Sequence, residues 1–235
     1  MTKTFHFYIV FILICCFSIG VFSCKSLKSD KRANKKKELI NKDLLTYDEL
    51  NKEYRDLIEK IGIRNGYVIA DVGASLGIDD FSLSVLTDSN SYFIQDISSE
   101  IFKKKRFKQM QNYFNSIRKT PQTNKLQYVI GNERKSCLPD SSFDLIFLFN
   151  SLHEFTYVKE MLDDLSKKLK PNGRLIVRES TSTSEKRHII DGCYTTAFTK
   201  NEIKLLMKSS DLYFYQQLYP DSNLVNIFIF DKNHR

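Results

Sequence analysis

Val68-Ile69-Ala70-Asp71-Val72-Gly73-Ala74-Ser75-Leu76-Gly77 decides how the rest of the chain is read. The run Tyr67 to Val72 is apolar but for Asp71, the makeup of a short strand buried in a sheet. Gly73 and Gly77 follow at once, and Phe81, Val85 and Leu86 continue at helical spacing. Strand, glycine turn and helix together open a parallel α/β unit.

Downstream the alternation repeats. Tyr92 to Asp96 reads as a second strand ending in an acid, with Ile97 beside it. Ser98 or Ser99 is expected to open a Lys-rich helix running to about Arg118. Leu126 to Ile130 is a third strand, followed by Gly131-Asn132-Glu133. Phe143 to Phe149 is a fourth, nearly all apolar, as burial on both faces requires. Thr156 is expected to cap a helix carrying Met161, Leu162, Leu165 and Leu169, with lysines at its end where the helix dipole favours cations. Pro171-Asn172-Gly173 then turns the chain into a fifth strand, Arg174 to Arg178. Thr199-Lys200-Asn201-Glu202 has the capping-box form, as does Thr46-Tyr47-Asp48-Glu49 upstream, before a helix ended by Gly62. Leu212 to Leu218 and Leu224 to Phe230 form a closing pair joined by a linker short enough for an antiparallel hairpin. The expected fold is a doubly wound, mostly parallel, seven-stranded α/β sheet with an antiparallel terminal strand.

In such sheets ligands bind beyond the carboxyl ends of the strands, at the switch in strand order. That singles out Asp71 to Gly77, Asp96, Asn132, and Asn150 to His153. An acid ending the second strand can accept hydrogen bonds from both hydroxyls of a ribose, and Asp96 follows Gly73 by 23 positions, near the spacing of about 20 for that role. A nicotinamide dehydrogenase fits poorly, because its G-x-G-x-x-G pattern needs glycine where Ser75 stands. The Lys103-Lys104-Lys105-Arg106 run reads as a solvated helix face, and His188 as a solvated loop residue.

Several of these stretches resemble the class I S-adenosylmethionine-dependent methyltransferases. Val68 to Gly77 is similar to that family's first motif, a strand followed by D-x-G-x-G-x-G, with Ser75 in place of the middle glycine. Ile94-Gln95-Asp96, Leu138 to Ile146, Ser151 to Phe155, Leu169 to Leu175 and Phe198 to Ile203 resemble later family segments, in the family's order. The resemblance covers roughly residues 55–230. It implies a Rossmann-like methyltransferase fold and S-adenosylmethionine as cofactor, with a methyl group passed to an unidentified small-molecule acceptor. It further implies a cofactor site of Asp71, Gly73, Ser75, Gly77, Asp96, Ile97, Asn132 and Asn150. There Asn132 would lie near the adenine amino group, replacing the usual acid, and Asn150 would line the methyl-transfer pocket. His153 is the candidate base, needed only for an acceptor that must lose a proton; the alternative, and the reading a lone histidine favours, is a packed residue at a helix start. The acceptor surface is expected from residues 47–61 and 180–197. The competing reading is a catalytically silent module of the same fold that binds a ligand or partner at a membrane.

Charge does not point to nucleic acid. The chain is +8, but residues 1–40 carry +6 of it, leaving +2 for the body. Phe5 to Phe22 is almost wholly apolar, at the short end of what spans a bilayer (about 17–25 residues). Val21-Phe22-Ser23-Cys24 resembles a bacterial lipobox, which implies lipidation of Cys24. The seven Lys and Arg within residues 25–37 instead suit an uncleaved anchor with the body on the cytoplasmic side; a buried helix is the third reading. The expected organisation is a signal or anchor at 1–24, a charged tether at 25–40 and the catalytic domain at 41–235. The five cysteines show no zinc-ligand spacing and no disulfide framework, with a Cys137–Cys193 bridge left open.

Overall fold

The computed structural model describes residues 46–183, 186, 188–190, 193–219 and 225–233. The apolar segment, Cys24, the tether and the start of the 41–235 domain lie outside them. Among the described residues no helix is long and apolar enough to cross a membrane. The chain divides into two units. In the smaller, the Ile190 amide donates to the Thr195 carbonyl (2.8 Å) and Ile189 bridges Thr196, closing a small antiparallel turn. The larger unit holds the sheet.

Its elements are α1 (Tyr47–Ile61), β1 (Val68–Val72), α2 (Ile78–Leu86), β2 (Ser91–Asp96), α3 (Lys104–Ile117), β3 (Lys125–Ile130), β4 (Phe143–Phe149), a 3-10 turn (Leu152–Glu154), α4 (Val158–Lys168), β5 (Leu169–Ser180), α5 (Lys200–Lys208), β6 (Tyr213–Leu218) and β7 (Val225–Asp231). The sheet order is β3-β2-β1-β4-β5-β7-β6. Strands β1 to β5 run parallel, and β7 lies antiparallel between β5 and β6. The chain winds outward from β1 through β2 to β3, then returns to place β4 on β1's other side. The carboxyl ends of β1 and β4 therefore diverge into a crevice.

Each face of the sheet has its own core. Leu50, Tyr54, Leu57 and Ile58 of α1 pack with Phe81, Leu83, Met110 and Phe114 against one face. Met161, Leu162, Leu165, Ile203 and Met207 cover the other. Both capping boxes form. The Thr46 and Thr199 amides donate to Glu49 and Glu202 (2.7 Å each), and the glutamate amides return to the threonine hydroxyls.

Three boundaries differ from the sequence reading. Helix α3 opens at Lys104, because the Ser98 amide is taken by Asp96 Oδ1 (2.9 Å) and the next residues turn instead. Helix α4 has Tyr157 at its N-cap with no side-chain cap, leaving Thr156 on the crevice wall. β5 runs through Pro171-Asn172-Gly173, since a register shift between Phe143 and Leu145 absorbs that turn within the ladder. Neither Cys137 nor Cys193 is in a disulfide.

Candidate active site

The turn after β1 is hooked onto the end of β2. The Gly73 and Ala74 amides both donate to the Gln95 carbonyl (3.0 Å each), and the Ser75 amide donates to Asp96 Oδ2 (2.9 Å). Gly73 sits at φ +73°, a conformation that costs an L side chain about 1–2 kcal/mol. Ser75, where the family pattern has glycine, reaches the same left-handed region at φ +50°, with its side chain exposed. The serine therefore keeps the backbone path of the turn.

Beyond these strand ends lies an open cleft of roughly 100 Å³, smaller than the range of about 300–1,000 Å³ usual for small-molecule sites. Gly73, Asp96, Ile97, Glu133, Ser151 and Phe155 are among its walls. Asp96 is suited to a vicinal diol. Each carboxylate oxygen accepts one backbone amide, from Ser75 or Ser98, so each keeps a lone pair for a ligand hydroxyl. The Ser151 hydroxyl donates to the Val72 carbonyl (2.7 Å), pinning the end of β4 to the end of β1.

The remaining expected residues stand around this cleft rather than on it. Asp71 is buried beneath the turn. Burial, then the charges of Asp80 and Asp79, push its carboxyl well above the usual range, and buried Asp80 is raised likewise. Gly77, at φ +71°, is the N-cap of α2 and packs on Ile94. Asn132 is spent on its own turn, its Oδ1 accepting the Arg134 (2.9 Å) and Lys135 (3.0 Å) amides, while Glu133 reaches the cleft. Asn150, at φ +55°, continues the β4–β5 ladder through its amide to the Arg178 carbonyl (2.8 Å).

His153 lies on the 3-10 turn with its side chain 4% exposed. Its Nδ1 is 2.8 Å from Glu179 Oε2, and its amide donates to Glu179 Oε1 (3.3 Å). Burial pulls the imidazole pKa down, but the hydrogen bond and charge of Glu179, with the charge of Glu154, outweigh it and hold it above the ordinary value. Sequence reasoning did not find Glu179, Gln95 or Glu133; the pairing of residues 153 and 179 has no signature in one chain.

A second charged cluster joins α1, α2 and β5. Arg178 forks onto Asp79 (Nη2 to Oδ2 2.7 Å), the Tyr54 hydroxyl donates to Asp79 Oδ1 (2.7 Å), and the guanidinium lies 4.2 Å from the Phe149 ring centre. Burial, then the Asp79 charge, raise the Glu53 carboxyl from 4.5 to about 7 against the pull of Arg178. Between those values the folded chain binds this proton more tightly than the unfolded chain, so the group destabilises the fold increasingly as pH rises through that window. After discounting for partial exposure, Glu53→Gln is expected to gain about 1–2 kcal/mol at about pH 8 and almost nothing near pH 5, read by urea unfolding at both.

Comparison with known proteins agrees with this architecture. A family model described as a methyltransferase domain matches residues 71–177. The chain is 24% identical to a ubiquinone/menaquinone biosynthesis C-methyltransferase of Shewanella frigidimarina, over 89% of this chain and 86% of that one. The corresponding protein of Pseudoalteromonas translucida is 26% identical, over 79% of this chain and 64% of its own. Among solved structures, a SAM-dependent methyltransferase from Aquifex aeolicus superposes with a TM-score of 0.60 at 14% identity, covering 80% of this chain and 98% of that one. A Burkholderia thailandensis 1,6-didemethyltoxoflavin-N1-methyltransferase, solved with that compound and S-adenosylhomocysteine, gives 0.55 at 14% identity, covering 89% and 92%. The fold is the class I methyltransferase fold. Within that fold residues 71–177 match a methyltransferase domain, and S-adenosylmethionine-dependent methyl transfer is the activity these comparisons support.

Proposed function

We propose that the chain methylates a small, lipophilic acceptor at a membrane surface, with the methyl donor held in the cleft beyond β1, β2 and β4. The observation that carries this is Asp96, a carboxylate with one lone pair open on each oxygen, standing beside the Gly73 turn. Bound S-adenosylmethionine supplies an electrophilic methyl on a sulfonium; the protein's part is orientation and exclusion of water. Asp96 accepts from the ribose hydroxyls. Gly73, Ser75 and Gly77 shape the turn along the methionine portion, and buried Asp71 supports it from below. Ile97 and Glu133 flank the adenine end, with Asn132 holding the turn that carries Glu133. Asn150 borders the transfer pocket, and His153 is the candidate base.

The lipophilic acceptor is supported by relatives that act in quinone biosynthesis and by the apolar segment Phe5 to Phe22. The membrane tether is either lipidated Cys24 or an uncleaved anchor. Mass spectrometry of the mature N-terminus separates these: a lipid on Cys24 marks the first, an intact Met1 the second.

The test is incubation of the full chain in detergent with methyl-labelled S-adenosylmethionine and a bacterial lipid extract. The expected result is label in one organic-soluble product, with an equal amount of S-adenosylhomocysteine. A chain that binds the donor but labels nothing is the silent binding module instead.

A further inference from the structure

Glu179, at the end of β5, is almost wholly buried, with 1% of its side chain accessible. A carboxylate so buried must be paired, and both its oxygens are spent on one residue, His153 (backbone amide 3.3 Å, Nδ1 2.8 Å). An ionised carboxylate only accepts, so the ring nitrogen it faces carries the hydrogen. In the neutral imidazole the lone pair then falls on Nε2. That atom is buried without a hydrogen-bond partner, an arrangement that costs free energy unless something uses it. It lies 3.9 Å from a carboxylate oxygen of Glu154, which is itself on the cleft wall.

Resting on the transferase reading above, we propose that Glu179 is the positioning residue of a His153 general base, and that the acceptor is therefore protic: a phenolic or enolic hydroxyl, or the acidic carbon conjugated to one. An amine arrives with its own lone pair and needs no buried base before attack; a hydroxyl or carbon acid does. The proton moves from the acceptor to His153 Nε2. The electron pair so exposed forms the new bond to the methyl carbon, and the carbon–sulfur bond breaks with its pair left on sulfur, giving S-adenosylhomocysteine. The proton on Nε2 then passes to water. Two carboxylates face the ring, Glu179 from β5 and Glu154 from the same turn, and both favour the imidazolium that forms. A base held above the ordinary histidine pKa makes transfer rise with pH as Nε2 is freed.

The test uses the full chain in detergent with ¹⁵N-histidine. In the wild type, neutral His153 is expected to carry its hydrogen on Nδ1 and to titrate above the ordinary histidine range. Glu179→Gln is expected to lower that midpoint by about one pH unit while leaving donor affinity within about twofold. With 1,4-naphthohydroquinone as acceptor probe, the same variant is expected to lower kcat on the order of 100-fold and to move the acidic limb of the pH profile downward, with the KM for the donor unchanged. A hydrogen on Nε2 in the wild type, an unmoved midpoint, or transfer to 1-naphthylamine but not to the hydroquinone would each overturn the proposal. The tautomer is read without turnover, so failure of the dyad is distinguished from failure of the transferase reading, in which the donor does not bind.

Discussion

Asp96→Ala is expected to abolish measurable binding of S-adenosylmethionine while leaving a folded protein. A hydrogen bond to a charged group contributes about 1.5–3 kcal/mol, and the aspartate is placed to accept two from one ribose. Losing both amounts to a fall in affinity of at least about 100-fold. The cost to the fold is smaller. Asp96 is half-buried at a strand end, and the amides it releases belong to Ser75, which is exposed, and Ser98, which is half-buried. Their loss is expected to cost about 1 kcal/mol each or less, since water can replace the carboxylate there. Calorimetric titration and urea unfolding of the variant check the two halves separately. Undiminished affinity would remove Asp96 from the cofactor site.

Gly73→Ala is expected to damage the fold and the cleft together. The φ of +73° strains any L residue, and the new Cβ would stand 2.6 Å from Ser151 Cβ and 3.2 Å from its Oγ. Ser151 cannot step aside without giving up its bond to the Val72 carbonyl (2.7 Å), which joins β4 to β1. Strain and overpacking together imply a loss of about 2–4 kcal/mol, with donor binding weakened by distortion of the cleft. Gly66→Ala separates the two causes. Its φ is +86° but nothing lies within 4 Å of the added carbon, so strain alone acts there, about 1–2 kcal/mol. Equal losses at the two positions in thermal or urea unfolding would show that the close approach at Ser151 contributes nothing.

Local features of the sequence were legible because they are local in cause. Phe143 to Phe149 must be buried on both faces, and it lies at the sheet centre, paired to β1 and β5. Thr46 and Thr199 cap helices because the glutamate three residues on is within reach of the same turn. Gly73 and Asp96 could be placed at one end of the sheet because strand-turn-helix order dictates it, and both line the cleft.

What could not be read depends on elements far apart in the chain. Nothing near Glu179 announces that His153 will take both its oxygens, nor does any pattern join Tyr54, Asp79 and Arg178. The start of α3 moved for a related reason. Asp96 competes for the Ser98 amide more effectively than a new helix does. Likewise Pro171-Asn172-Gly173 reads as a boundary in isolation, yet the Leu169 pairing with Phe143 carries the strand through it.

The most direct measurement is a calorimetric titration of the full chain in detergent with S-adenosylmethionine and with S-adenosylhomocysteine. Both are expected to bind one site per chain at micromolar affinity or better, each displacing the other, and Asp96→Ala is expected to bind neither. A folded wild-type chain that takes up neither compound would contradict the assignment of the cleft as a methyl-donor site.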